Sequence, residues 1–258
     1  MGSLNSIPQQ TIEFLNTKAA FYHAPWFIKE DPISIPHRFS RKEDIEISAF
    51  LTAIITWGQR KMILQKASLL MELMENNPHD FLINAGHQEF QKFNSFVYRT
   101  FNHVDCIYFL STLRNIYRHH GGLEELFLIG YKTNQCIFDA LVYFRQFFTS
   151  FSPMPRTGKH LANVEKGSAA KRFNMFLRWM VRPDEGVDFG IWKKIDPAHL
   201  MIPLDVHVAR VARNLGILQR KQNDWKAVVE LTQELKKIRP HDPVFYDYAL
   251  FGSGVYEK

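Results

Sequence analysis

Apolar positions recur at helical spacing along most of this chain. Ile45, Ala49, Leu51, Ile54 and Ile55 form one such run. Ser40-Arg41-Lys42-Glu43 opens it with the Ser-x-x-Glu pattern of a capping box, and Gly58 stands where it would break. A second run covers 62–74 and stops at Asn76-Asn77-Pro78. The spacing predicts further helices over 104–118, ended by Gly121-Gly122, and over 134–149. The stretch 151–163, with Pro153, Pro155 and Gly158, reads as a loop. Ser168 is placed to cap a helix running to about 182, before Pro183. Asp205 is placed to cap one running to 215 with Gly216 just beyond, and Asp224 one running to about 238 before Pro240. Strand-like alternation is scarce, so the expected class is all-α, with strands absent or a few residues long. There is no repeat, low-complexity tract or long flexible linker.

At 258 residues, 46% hydrophobic and 22% charged, the chain can bury a proper core, which excludes a disordered tail. Phe is over-used, at 22 residues, and aromatics supply core volume at low rotamer entropy. No apolar run reaches the roughly 18 residues of a membrane span. The first ten residues lack the basic and apolar regions of a secretory signal. Positions 1–6, Met-Gly-Ser-Leu-Asn-Ser, match a myristoylation pattern, but without a second anchor the match is read as chance. Two cysteines, Cys106 and Cys136, are too few for a cysteine-only zinc or iron–sulfur site. They fit a reducing compartment. The expectations are therefore a cytoplasmic protein with no membrane partner, metal or cofactor.

The formal charge of +6 has an address. Between Arg156 and Arg182 stand Arg156, Lys159, Lys166, Lys171, Arg172, Arg178 and Arg182, against one acid, Glu165. The rest of the chain carries 25 basic and 25 acidic residues. At about 100° per helical residue, Lys171, Met175, Arg178 and Arg182 share one stripe, and Phe173, Phe176, Leu177 and Met180 the other side. Two readings stand: a solvated cationic face, or a surface for the phosphates of a nucleic acid.

Two local patterns bear chemistry. One is Gly167-Ser168-Ala169-Ala170-Lys171-Arg172-Phe173-Asn174, at a loop-to-helix entry. The other is Leu204-Asp205-Val206-His207-Val208-Ala209-Arg210-Val211, at a second helix entry. Together they resemble the helix-hairpin-helix DNA glycosylases, the superfamily of endonuclease III and the 8-oxoguanine glycosylases. Gly167, Lys171 and Asn174 keep the spacing of that superfamily's hairpin and lysine-bearing helix. Asp205, His207, Val208, Arg210 and Val211 keep its downstream Asp-x-His-Val-x-Arg-Val run. Arg178-Trp179-Met180-Val181-Arg182 and Phe245-Tyr246-Asp247-Tyr248-Ala249-Leu250-Phe251-Gly252 resemble an uncharacterised bacterial branch. The chain departs from the usual Leu-Pro-Gly-x-Gly hairpin, with Ala169 at the second glycine and no proline. It also places Asp205 34 positions after Lys171, a longer gap than is usual.

The resemblance implies one bilobal helical domain with a cleft between lobes. A catalytic-motif lobe would cover about 104–220, with the N-terminal and C-terminal segments packing together. It implies a base-excision glycosylase with lyase activity on damaged double-stranded DNA, acting as a monomer and without an iron–sulfur cluster. Lys171 would be the nucleophile and Asp205 its acidic partner. A lysine amine can attack the sugar C1′ and form a Schiff base, while a carboxylate stabilises the positive centre. The base must first leave the stack. Gly167, Ser168, Arg172, Arg178, Arg182, His207 and Arg210 would contact DNA. Gln59 and Arg60 stand where the family often has a glutamine that enters the duplex.

Simpler roles compete with each of these. Lys171 also fits a solvated face. Asp205 is an ordinary N-cap, worth about 1 kcal/mol without catalysis. His207 fits a plain helix histidine, and Arg210 a positional residue. At the level of the whole chain, the alternatives are a non-catalytic nucleic-acid-binding protein with the same fold, and a helical interaction domain.

Overall fold

The computed structural model describes residues 7–151, 156–183 and 185–257. The myristoylation-like start at 1–6, Pro153 and Pro155 of the expected loop, and Asp184 lie outside them. Thirteen α-helices stand among the described residues: α1 (Gln9–Tyr22), α2 (Pro25–Ile28), α3 (Lys42–Ile54), α4 (Arg60–Leu73), α5 (Pro78–Asn84), α6 (His87–Gln91), α7 (His103–His119), α8 (Leu123–Asn134), α9 (Ile137–Ser150), α10 (Lys171–Val181), α11 (Val206–Asn214), α12 (Trp225–Ile238) and α13 (Asp247–Tyr256). Six 3-10 turns link them. Two two-residue strands, β1 (Val97–Tyr98) and β2 (Phe101–Asn102), pair antiparallel around Arg99. Among the described residues the chain is all-α apart from this hairpin and an isolated bridge between Ser168 and Asp224.

The chain divides into two compact units. One joins 1–27 to 164–258; the other is the continuous stretch 28–163. The boundary near 163 corrects the expected lobe of 104–220. Helices α7, α8 and α9 belong with the preceding helices, because their aromatic faces complete a core started by α3. In that unit Phe50 meets Phe144 with ring centroids 5.6 Å apart, Phe127 stacks on Phe144 at 4.3 Å, and Phe109 meets Phe148 at 4.8 Å. This cluster accounts for much of the chain's phenylalanine.

In the discontinuous unit, α1 and α11 both pack on α13. Glycine makes this close approach feasible. A Cβ on Gly252 would fall 2.3 Å from the Tyr22 ring, and one on Gly254 3.1 Å from the His207 carbonyl oxygen. The segment after α10 folds back along it: Phe189 N donates to Trp179 O at 2.8 Å and Trp192 N to Met180 O at 2.9 Å. Trp179 and Trp192 are fully buried. The long stretch between Lys171 and Asp205 is therefore a buttress of α10.

Cap chemistry decides where helices start. Asp205 caps α11 and Asp224 caps α12, as their positions predict. Ser40 does not cap α3, whose N-cap is Arg41 without a side-chain bond. Ser168 does not begin α10 either. Ala170, at φ +49°, is the N-cap, and Lys171 is the first helical residue.

Candidate functional site

Gly167 takes φ +85°, a left-handed conformation that glycine adopts without strain. The turn that it makes is anchored on both sides. Gly167 N donates to Val164 O at 2.9 Å, and Trp225 N donates to Gly167 O at 3.0 Å. Ser168 Oγ accepts from Ala170 N at 3.3 Å. Asn174, buried on the first turn of α10, donates through Nδ2 to Ala169 O at 3.2 Å and Ile202 O at 3.4 Å. The hairpin is thus tied to the stretch of chain that leads into Asp205.

Lys171 leaves this turn half-buried, with Nζ 3.6 Å from Met175 Sδ and 6.0 Å from the centre of the Phe251 ring. Among the described residues it makes no ion pair. Asp205, half-buried at the start of α11, accepts through Oδ1 from His207 N at 2.8 Å and Val208 N at 3.0 Å. Both capping bonds fall on one oxygen, which leaves Oδ2 outside the cap.

The residue that links these two is Asp247, at the start of α13. It is buried, and Arg178 donates to its Oδ2. Its Oδ1 is also buried and has no hydrogen-bond partner. Burial pushes its carboxyl up to about 7; Arg178 opposes that rise, the charge of Asp205 adds to it and the charge of Lys171 subtracts from it. Lys171, Asp205 and Asp247 therefore share one electrostatic neighbourhood, built by the starts of three helices. Nothing in the helical pattern marks Asp247 as functional. The available signal is an acid inside an otherwise aromatic and aliphatic run, Phe245 to Phe251, where a carboxylate is costly unless compensated.

The cationic stripe is corrected by the fold. Arg178 is 4% exposed and Arg182 has no exposed surface. Arg178 Nε donates to Asp188 Oδ1 at 3.3 Å, beside its bond to Asp247. Arg182 donates to Asp242 Oδ2 and Asp188 Oδ2, each at 3.1 Å, and to Glu185 Oε2 at 2.8 Å. Tyr248 Oη donates to Asp188 Oδ2 at 2.7 Å, and its ring centre lies 4.4 Å from the Arg178 guanidinium. Neither arginine can meet a phosphate. Helical geometry places the stripe correctly, but the carboxylates that cover it come from 185–188 and from 242–247. Arg156, in the other unit, is neutralised too, by Asp105 at 3.1 Å. The +6 of the segment is a count along the chain; in the folded chain much of that charge is paired.

The remaining expected contacts are distributed as follows. Arg172 is half-buried, and burial pulls its guanidinium down to about 10. His207 is half-buried, its backbone against Gly254. Arg210 is exposed and donates to Gly254 O at 2.6 Å, a positional bond that fixes α11 on α13. Gln59 is exposed and Arg60 half-buried, at the N-terminal end of α4. Both belong to the unit 28–163, whereas Lys171 and Asp205 belong to the other. Cys106 is buried and Cys136 partly so, both as free thiols. Among the described residues no group of three His, Cys, Asp or Glu could hold a metal ion, and no helix is long and apolar enough to cross a membrane.

No curated protein and no solved structure matches the chain. One family model does, over residues 31–256, a span that takes in Lys171, Asp205 and Asp247. The chain belongs to the family described as "Protein of unknown function (DUF2400)".

Proposed function

We propose that this chain is a DNA base-excision glycosylase with lyase activity, built as a bilobal domain of the helix-hairpin-helix glycosylase type. The observation that carries the reading is that an amine without an ion pair among the described residues and a carboxylate with a spare oxygen both act on the same buried group, Asp247. Lys171 lies against sulfur and an aromatic ring; Asp205 uses only Oδ1 in its cap. A damaged base is flipped out of duplex DNA. Nζ of Lys171 attacks C1′, the glycosidic C–N bond breaks, and the base leaves with the electron pair and takes up a proton. Asp205 Oδ2 faces the positive charge that develops at the sugar. The bound nitrogen then loses its proton, and the C1′–O4′ bond opens with O4′ taking up a proton. The resulting Schiff base on Lys171 permits β-elimination, in which a C2′ proton is lost and the C3′–O bond breaks with its electron pair leaving on the phosphate. Phosphate contacts fall to the Gly167 turn, Ser168, Arg172, His207 and Arg210, with Arg178 and Arg182 supporting the site from within.

The test is covalent trapping. Duplexes carrying an abasic site or one of a panel of damaged bases are incubated with the full chain and borohydride. A trapped adduct that maps to Lys171 and disappears in Lys171→Gln is expected. Absence of any Lys171-dependent adduct across the panel overturns the reading.

A further inference from the structure

A lysine ammonium cannot attack carbon; it must first lose a proton. Asp205 is badly placed to take it with Oδ1, which is held by two backbone amides. Asp247 differs. Its Oδ1 is buried and has no hydrogen-bond partner, one of six such side-chain atoms among the described residues. Oδ2 is held by Arg178, which fixes the carboxyl in place. Arg178 is itself divided between Asp247 and Asp188, so it does not fully compensate either one. On the same face of α13, one turn further on, Phe251 packs beside the Lys171 amine. Helices α10 and α13 thus bring Asp247 to Arg178 and the Lys171 amine to Phe251, with a flexible four-carbon stem on the amine side.

We propose that Asp247 accepts the proton that Lys171 must lose before its amine attacks, and so acts as a positioning and proton-holding residue for that amine. The inference rests on the lyase reading of Lys171. In the step, one N–H bond of the ammonium breaks, its electron pair stays on Nζ, and an O–H bond forms at Asp247 Oδ1. A base works best when its own affinity for protons matches the working pH, and the carboxyl of Asp247, at about 7, meets that condition. The charged groups that face it are Arg178 and Lys171 from α10 and Asp205 from α11. One layer out stand Asp188, Arg182 and His23, in contact with Arg178 or Tyr248. At the far end of α13 are His207 and Arg210.

The experiment needs no DNA. The full chain is treated with formaldehyde and cyanoborohydride between pH 5.5 and 9, and methylation is followed lysine by lysine by mass spectrometry. In the wild-type chain the rate at Lys171 is expected to show a shoulder near pH 7 that exposed Lys166 lacks. Asp247→Asn should remove the shoulder and slow Lys171 labelling at pH 7 by about tenfold, a modest share of what a positioned base can give. Asp188→Asn, which leaves Arg178 to Asp247 alone, should keep the shoulder and move it to lower pH. A wild-type profile without a shoulder, an Asp247→Asn profile like the wild type's, or loss of the shoulder in Asp188→Asn overturns the proposal. A parallel borohydride trap on abasic duplex separates the two ideas. A shoulder without any adduct defeats the lyase reading alone. An adduct whose pH profile ignores Asp247→Asn defeats this proposal alone.

Discussion

Arg182 and Asp242 form an ion pair in which the guanidinium has no exposed surface and the aspartate only 8%. Burial opposes the charge on Arg182, but Asp188 and Asp242 outweigh it and hold the guanidinium above its ordinary value. Removing one member of such a pair leaves the others buried and uncompensated. Arg182→Ala is therefore expected to destabilise the chain by roughly 3–5 kcal/mol. Arg182→Lys should recover only part, since a lysine cannot serve Asp242, Asp188 and Glu185 with one planar fork. Urea denaturation checks both; a destabilisation below about 1 kcal/mol for the alanine variant would contradict the burial of this arginine.

Asp205 has a structural task and a proposed chemical one, and two variants separate them. Asparagine caps helices as well as aspartate does. Asp205→Asn should thus melt with the wild type but excise and trap poorly. Asp205→Ala should also lose about 1 kcal/mol of stability. If the asparagine variant excises at the wild-type rate, the carboxylate has no part in the chemistry.

Salt dependence distinguishes cations that reach a nucleic acid from those that hold the fold. For every phosphate that a variant no longer neutralises, the slope of log affinity against log salt should fall by about one. Arg172 and Arg210 are the proposed cationic phosphate contacts beside Lys171, and their replacement by glutamine is expected to lower the slope of duplex binding measured by fluorescence anisotropy. Arg178→Gln should instead reduce stability. A slope lower by a full unit in a folded Arg178→Gln protein would restore the arginine to the surface.

Stability should also vary with pH in a direction set by burial. Burial pushes Asp247 up to about 7 and raises Asp242 as well, while an unfolded aspartate sits near 4. Between about 4 and 7 the folded chain thus binds more protons than the unfolded chain. These two groups make stability fall as pH rises through that window and level off above it. Carboxylates held low by partners, such as Asp224 at about 2, lose their contribution only at more acid pH. Urea titrations at pH 5, 6, 7 and 8 should show a decline that shrinks in Asp247→Asn. An identical decline in the variant would remove Asp247 as its source.

The contact of Gly252 with Tyr22 offers a packing test. A Cβ at 2.3 Å from the ring cannot be accommodated without moving α1 or α13. Gly252→Ala is expected to cost about 1–3 kcal/mol, as overpacked cores do. A melting temperature equal to the wild type's would show that the ring can yield.

Much of the helical layout is legible in the sequence because it depends on near neighbours. Asp205 and Asp224 cap their helices as their positions predict, and the breaks at Gly58 and Gly121-Gly122 are real positions of positive φ. Helix α8 is not among the expected helices, although Leu123, Leu126, Phe127 and Tyr131 bury one face at helical spacing. The candidate site is half legible. Lys171 and Asp205 lie in local patterns, whereas Asp247 is defined by Arg178, 69 positions away. The same distance explains the misplacement of Arg178 and Arg182 on a surface. A stripe of cations looks solvated until the carboxylates that fold over it are known, and those lie beyond the reach of helical periodicity.

The union of α1 with α13 sets an order of events during synthesis. Lys18 donates to Glu257 at 2.6 Å, across 239 positions. Residues 28–163 form a continuous unit and can collapse while the rest of the chain is still being made. Helix α1 is synthesised long before its partner α13. Until then its apolar face, with Leu15, Ala19 and Tyr22, has no native cover. During the interval between those two moments this face is open to aggregation and to capture by a chaperone.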